Sequence, residues 1–167
     1  MTAADFRPID VLETLARHRV GFVLIGGLAG SARGSPVITG DIDICYARDP
    51  DNLGRLADAL NELGAKLRGR GVPEDLPFRL DAKTLEAGDS FTFGTNAGSV
   101  DILGTPSGTS GFPDLDAGAT ELDIGGVAVK VASLDDLIRM KRAAGRTKDL
   151  EHLEWLKALR EEQKGRR

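Results

Sequence analysis

The sequence predicts an α/β chain (α+β in its arrangement): a short mixed β-sheet flanked by helices and ending in two C-terminal helices. Three observations predict it. Val20-Gly21-Phe22-Val23-Leu24-Ile25 is apolar throughout and is followed by Gly26-Gly27, the mark of a short strand buried on both faces. Ile42, Ile44 and Tyr46 alternate with Asp41, Asp43 and Cys45, the period-2 pattern of a strand with one face in the core. Leu53, Leu56, Ala59, Leu60 and Leu63 recur at helical spacing, as do Leu150, Leu153, Leu156 and Leu159.

The first helix is expected after Asp10, which can cap it, with Val11, Leu12 and Leu15 on its apolar side. After the 20–25 strand and the glycine pair, the small residues of 28–33 suit a short helix packed close to a sheet, closed by Gly34-Ser35-Pro36. Asp49-Pro50-Asp51 supplies a turn and a cap for a helix over 52–64. Residues 65–76 read as a Gly- and Arg-containing loop, and Pro77–Leu80 as a short strand. Strands over 90–95 and 99–103 flank an Asn96-Ala97-Gly98 turn. The Gly/Pro/Ser-rich stretch 104–118 leaves room for a short helix at 114–117. Strands 121–124 and 127–131 flank Gly125-Gly126, a two-residue hairpin signal. Ser133 with Asp135 and Asp136 begins a capped helix running to about Ala144. After Gly145 a last helix spans 148–162. One structural domain is expected, in two segments: a core over 1–131, and a helical segment over 132–167 that closes its cleft.

Composition narrows the function classes. The chain of 167 residues is 41% hydrophobic and 29% charged, with 5% aromatic residues. It lacks an apolar run of the roughly 18–20 residues that span a bilayer, so no membrane association is expected. The N-terminal stretch carries Asp5 and Asp10 and no apolar core of signal-peptide type, which points to a cytoplasmic protein. A single cysteine, Cys45, excludes an intrachain disulfide and a Cys-based zinc site. His18 and His152 lie far apart and read as surface helix residues. Charge is unevenly spread: residues 1–138 hold 12 Lys+Arg against 21 Asp+Glu, and residues 139–167 hold 10 against 5. An acidic body with a basic end fits a metal site facing phosphates, and equally a solvated terminal helix.

The chemistry centres on Asp41 and Asp43. Alternate strand residues share a face, so these carboxylates stand about 6.5–7 Å apart along the strand. Ionised acids that close repel each other, and a hard divalent cation removes the conflict. Asp101, a lone acid in the apolar strand Gly98–Leu103, is the natural third ligand, since an unpaired acid there is costly. Gly26 and Gly27 at a strand-to-helix turn let the backbone approach an anion closely, with Ser31 a further hydroxyl donor. Lys141, a cation near the end of its helix, is favourably placed against the helix dipole. An Asp-x-Asp pair also holds the metal of nucleotide-sugar transferases, which predicts UDP-sugar binding. Each motif alone is weak; their order is what carries the reading.

Gly26-Gly27, Thr39-Gly40-Asp41-Ile42-Asp43 and Asp101, in this order and context, resemble the pattern of the nucleotidyltransferase superfamily. The segment from Val131 to Leu150, with Lys141, Arg146, Lys148 and Asp149, is similar to the corresponding stretch of AbiEii-type nucleotidyltransferase toxin-like proteins. The resemblance spans roughly residues 9–160. It implies a nucleotidyltransferase-type fold and transfer of an NMP group from an NTP to a hydroxyl on protein, RNA or a small molecule. The implied metal ligands and catalytic acids are Asp41, Asp43 and Asp101, holding Mg²⁺ or Mn²⁺; Gly26, Gly27, Ser31 and Lys141 would hold the nucleotide. An antitoxin protein is the implied partner. The sequence departs from the pattern at Val37, where the family commonly has arginine, and at Leu28, where serine often follows the glycine pair. Arg33 is the nearest upstream arginine. These departures keep a second reading open, that of a non-catalytic nucleotide-binding or partner-binding module.

Overall fold

The computed structural model describes residues 5–73 and 75–165; residues 1–4, 74, 166 and 167, which fall within the two expected segments, lie outside the described residues. Seven strands form one mixed sheet: β1 (Phe22–Ile25), β2 (Asp41–Tyr46), β3 (Lys66–Arg68), β4 (Ser90–Thr95), β5 (Gly98–Leu103), β6 (Thr120–Ile124) and β7 (Val127–Val131), in the order β3-β4-β5-β2-β1-β7-β6. Neighbours are antiparallel except β2 with β5 and β1 with β7, which run parallel. The helices are α1 (Pro8–Arg17), α2 (Gly26–Ala32), α3 (Pro50–Glu62), α4 (Ala82–Ala87), α5 (Phe112–Gly118), α6 (Leu134–Ala144) and α7 (Leu150–Gly165).

The predicted patterns act as written at most positions. All four β1 residues are buried, as a central strand covered on both sides requires. Ile42, Ile44, Val100 and Ile102 are wholly buried on one face of β2 and β5, together with Leu53, Leu56 and Leu60 of α3. Asp49 caps α3 by accepting from the Asn52 N–H at 3.1 Å, and Ser133 caps α6 through the Asp136 N–H at 3.1 Å. Gly145 ends α6 in the left-handed region at φ 62° and returns its N–H to the Lys141 carbonyl, a turn that favours glycine.

Several expectations are corrected. Asp10 does not cap α1; the helix begins at Pro8, and Asp10 pairs with Arg7 inside the first turn at 2.9 Å. The stretch read as a loop contains β3, an edge strand pairing Lys66 with Gly94 and Arg68 with Thr92. Pro77–Leu80 pairs with no strand among the described residues; Phe78 instead sets its ring about 6 Å from those of Phe91 and Phe93. α4 was not foreseen. His152, expected on the surface, is buried in α7.

Candidate active site

The parallel pairing of β2 with β5 builds the site. Asp43 lies directly opposite Asp101, and Asp41 opposite Ser99, so the acids rise from one face while the isoleucines hold the other in the core. One carboxylate oxygen from each of Asp41, Asp43 and Asp101 lies within 4.8 Å of the others. Burial, the hydrogen bond with Asp101, and the charges of Asp41 and Asp101 push the Asp43 carboxyl up to about 8, against a smaller opposing pull from Lys141. Asp101 Oδ1 is buried with no hydrogen-bond partner among the described residues. Crowded acids, one forced toward its neutral form and one with an orphaned oxygen, make a donor set that could hold a hard divalent cation. Mg²⁺ or Mn²⁺ fits these residues.

The glycine pair is fitted to the acids. Gly26 has φ +71°, and a Cβ there would stand 2.1 Å from Asp43 Oδ2. A Cβ on Gly27 would stand 2.8 Å from both the Cβ and Oγ1 of Thr39. Thr39 Oγ1 in turn donates to Asp41 Oδ1 at 3.2 Å. Only bare backbone lets the start of α2 lie flush against the acid-bearing strand. Thr39, which the sequence reading did not single out, sets the Asp41 side chain. Its position two residues before the first acid was the available signal.

Across the cleft, Lys141 reaches in from α6. Its Nζ donates to Asp149 Oδ1 at 2.9 Å, and Arg146 Nε donates to Asp149 Oδ2 at 2.7 Å. Burial works against the Asp149 charge, but the bonds from the two cations outweigh it and hold the carboxyl below the usual range. Asp149 thus presents both cations to a cleft of about 510 Å³ whose walls include Gly26, Asp43, Asp101, Thr92, Lys141 and Arg146.

The remaining sequence candidates stand elsewhere. Ser31 Oγ lies 3.2 Å from the Gly27 carbonyl and 3.3 Å from that of Val37, so its proton serves backbone outside the cleft lining. Arg33 donates to the Ala132 and Val131 carbonyls at 2.6 and 2.8 Å and to Thr120 Oγ1 at 2.8 Å, tying α2 to the end of β7. It supplies no charge in place of Val37. Leu28 packs against the core. Cys45 is buried, and burial raises its thiol to about 12, which leaves it inert.

The seven-stranded mixed sheet flanked by helices, with two helices at its C-terminal end, is a nucleotidyltransferase-type fold. The solved structures with this architecture include a candidate nucleotidyltransferase from Thermotoga maritima, at 19% identity and TM-score 0.57, covering 93% of this chain and 97% of that one. The lincosamide antibiotic adenylyltransferase LnuA, with lincomycin bound, matches at 15% identity and TM-score 0.63, covering 93% and 99%. ANT(2'')-Ia, in complex with adenylyl-2''-tobramycin, matches at 16% and TM-score 0.55, covering 95% of each chain. No family model matches the sequence, and no curated protein matches it significantly. No helix among the described residues is long and apolar enough to cross a membrane.

Proposed function

We propose that this protein is a metal-dependent nucleotidyltransferase that moves an NMP group from an NTP to a hydroxyl. The observation that carries the reading is the convergence of Asp41, Asp43 and Asp101 within 4.8 Å, at a cleft lined by Asp43, Asp101 and Lys141. Asp41, Asp43 and Asp101 would hold Mg²⁺ or Mn²⁺, which neutralises the phosphates and lowers the cost of the pyrophosphate leaving. The backbone of Gly26-Gly27 and the Lys141 ammonium bind the triphosphate. Asp101, at the edge of the trio away from the glycine pair, accepts the proton of the attacking hydroxyl. The acceptor oxygen bonds to the α-phosphorus as the bond to the bridging oxygen breaks, and pyrophosphate leaves on the opposite side. Positioning and charge neutralisation account for most of the rate. In this reading residues 1–131 form the catalytic core, and 132–167 close the cleft.

The finer assignment rests on the resemblance of Val131–Leu150 to AbiEii-type proteins: a cytoplasmic toxin acting on protein or RNA, restrained by an antitoxin. The architecture shared with adenylyltransferases of small antibiotics favours a small-molecule acceptor. A second reading, nucleotide binding without turnover, is favoured by Val37 and Leu28 and by the diversion of Arg33 to backbone carbonyls. Incubation with each labelled NTP and Mg²⁺, followed by a search for label on protein, RNA and small acceptors, separates them. Transfer lost in Asp43→Asn supports the enzyme. Nucleotide binding with no transfer in either protein supports the binding module.

A further inference from the structure

The acid-bearing face of the sheet continues past Asp101 onto β4 and β3, on the side away from Gly26-Gly27. In register across the sheet, Asp43 faces Asp101, Asp101 faces Thr92, and Thr92 faces Arg68. One step along, Asp41, Ser99, Gly94 and Lys66 form a parallel row. Residues opposite one another point to the same side, so both rows run from acids through small or hydroxyl side chains to a cation on edge strand β3. Thr92, Lys66 and Arg68 are exposed, and neither cation has a hydrogen-bond or ion-pair partner among the described residues.

Arg68 does not simply extend into solvent. A Cβ placed on Gly94 would stand 2.5 Å from Arg68 Cδ and 3.6 Å from Nε, so the side chain lies across β4 on the bare backbone of that glycine. A glycine inside a strand costs stability and marks a close approach. Here the approach carries a free guanidinium inward. With strands about 4.8 Å apart, the charge rests about 10 Å from the acids on β2.

The side of the site on which this occurs gives it meaning. Gly26-Gly27 and Lys141 lie toward β1, α2 and α6, and Arg68 lies beyond β5 and β4. In-line displacement puts the acceptor hydroxyl opposite the departing pyrophosphate, so the cations flank the acceptor and not the triphosphate. We propose that Arg68, with Lys66, forms a subsite for a phosphate group on the acceptor, about 10 Å from its attacking hydroxyl. This rests on the nucleotidyltransferase reading for its role, but the binding itself does not. The subsite selects against polycationic acceptors such as tobramycin, the acceptor whose adenylylated form occupies ANT(2'')-Ia.

Two phosphate-bearing probes distinguish the sources: ribose 5-phosphate, and a short labelled single-stranded oligoribonucleotide. Binding is measured without NTP, in Mg²⁺ buffer, so a failure of the transfer reading leaves the result interpretable. Wild type is expected to bind at least one probe, with affinity falling as salt rises, and Arg68→Ala to bind it about 5- to 10-fold more weakly. Gly94→Ala, which keeps the charge but lifts the Arg68 stem, is expected to weaken it similarly. Lys83→Ala on α4, which removes the same charge elsewhere, is expected to change binding less than twofold. Binding of ribose 5-phosphate marks a small phosphorylated acceptor, and binding of the oligonucleotide alone a nucleic-acid end; either supports the subsite. No binding of either probe, unchanged affinity in Arg68→Ala, or an equal loss in Lys83→Ala overturns it.

Discussion

Replacing Asp43 with asparagine keeps the shape of the side chain and removes its ionisable group. Its neighbours raise the Asp43 carboxyl from an ordinary 3.8 to about 8. Between those values the unfolded chain has released the proton and the folded chain retains it. Folding then takes up a proton, and stability falls as pH rises from about 4 to about 8. Below pH 4 both states are protonated and the penalty vanishes; above pH 8 it is complete. At 1.36 kcal/mol per unit, a rise of about four units sets a ceiling of about 5 kcal/mol. Side-chain relaxation and water entry bring the expected effect to on the order of 2 kcal/mol. For a chain of this length that is a melting shift of about 4–8 °C. In metal-free buffer at pH 8.5, Asp43→Asn should melt above wild type by that amount, and the two should coincide at pH 4. Adding Mg²⁺ and ATP should raise the wild-type melting temperature and leave the variant where it was. A variant no more stable than wild type at pH 8.5, or an equal rise in both with Mg²⁺ and ATP, would refute the account of the acid trio.

Three other substitutions probe its supports. Gly26→Ala forces a Cβ into the left-handed region and against Asp43 Oδ2; thermal melting should show a loss of about 2 kcal/mol together with loss of the Mg²⁺–ATP shift. Thr39→Val removes the donor to Asp41 Oδ1 and should weaken Mn²⁺ binding, followed by paramagnetic resonance, about tenfold, while Thr39→Ser restores it. Arg33→Ala strips donors from the Ala132 and Val131 carbonyls, so denaturant titration should show a loss of about 2–3 kcal/mol. Full Mg²⁺–ATP binding in folded Arg33→Ala would confirm that Arg33 braces the fold and does not stand in for the missing arginine.

The central part of the fold was legible because its signals are periodic. The unbroken apolar run of β1, the alternation of β2, the Gly125-Gly126 hairpin and the leucine stripe of α3 each fix an element before any contact is known. The juxtaposition of Asp43 with Asp101 was only partly legible. The sequence identifies both as acids in strands, but their pairing depends on β5 docking parallel to β2 across 57 intervening positions. What was missed lacks such signals. β3 is three residues long, with two exposed cations around a single half-buried leucine, Leu67, too few positions for an alternation to be read, and α4 buries only Leu85. Pro77–Leu80 has the composition of a strand, but proline offers no donor for a ladder and Phe78 is used for ring packing. The burial of His152 and the hold of Asp149 on Lys141 arise from how α7 folds back on α6 and α2, which local patterning does not encode.

The most direct test of the central claim is transfer of radiolabelled phosphate from the α position of an NTP to an acceptor, with Mg²⁺, by wild type and by Asp41→Asn, Asp43→Asn and Asp101→Asn. The acid trio predicts Mg²⁺-dependent label on an acceptor together with released pyrophosphate, abolished by chelation and by each substitution. Transfer at wild-type level in any folded Asn variant, or undiminished transfer after chelation, would contradict it.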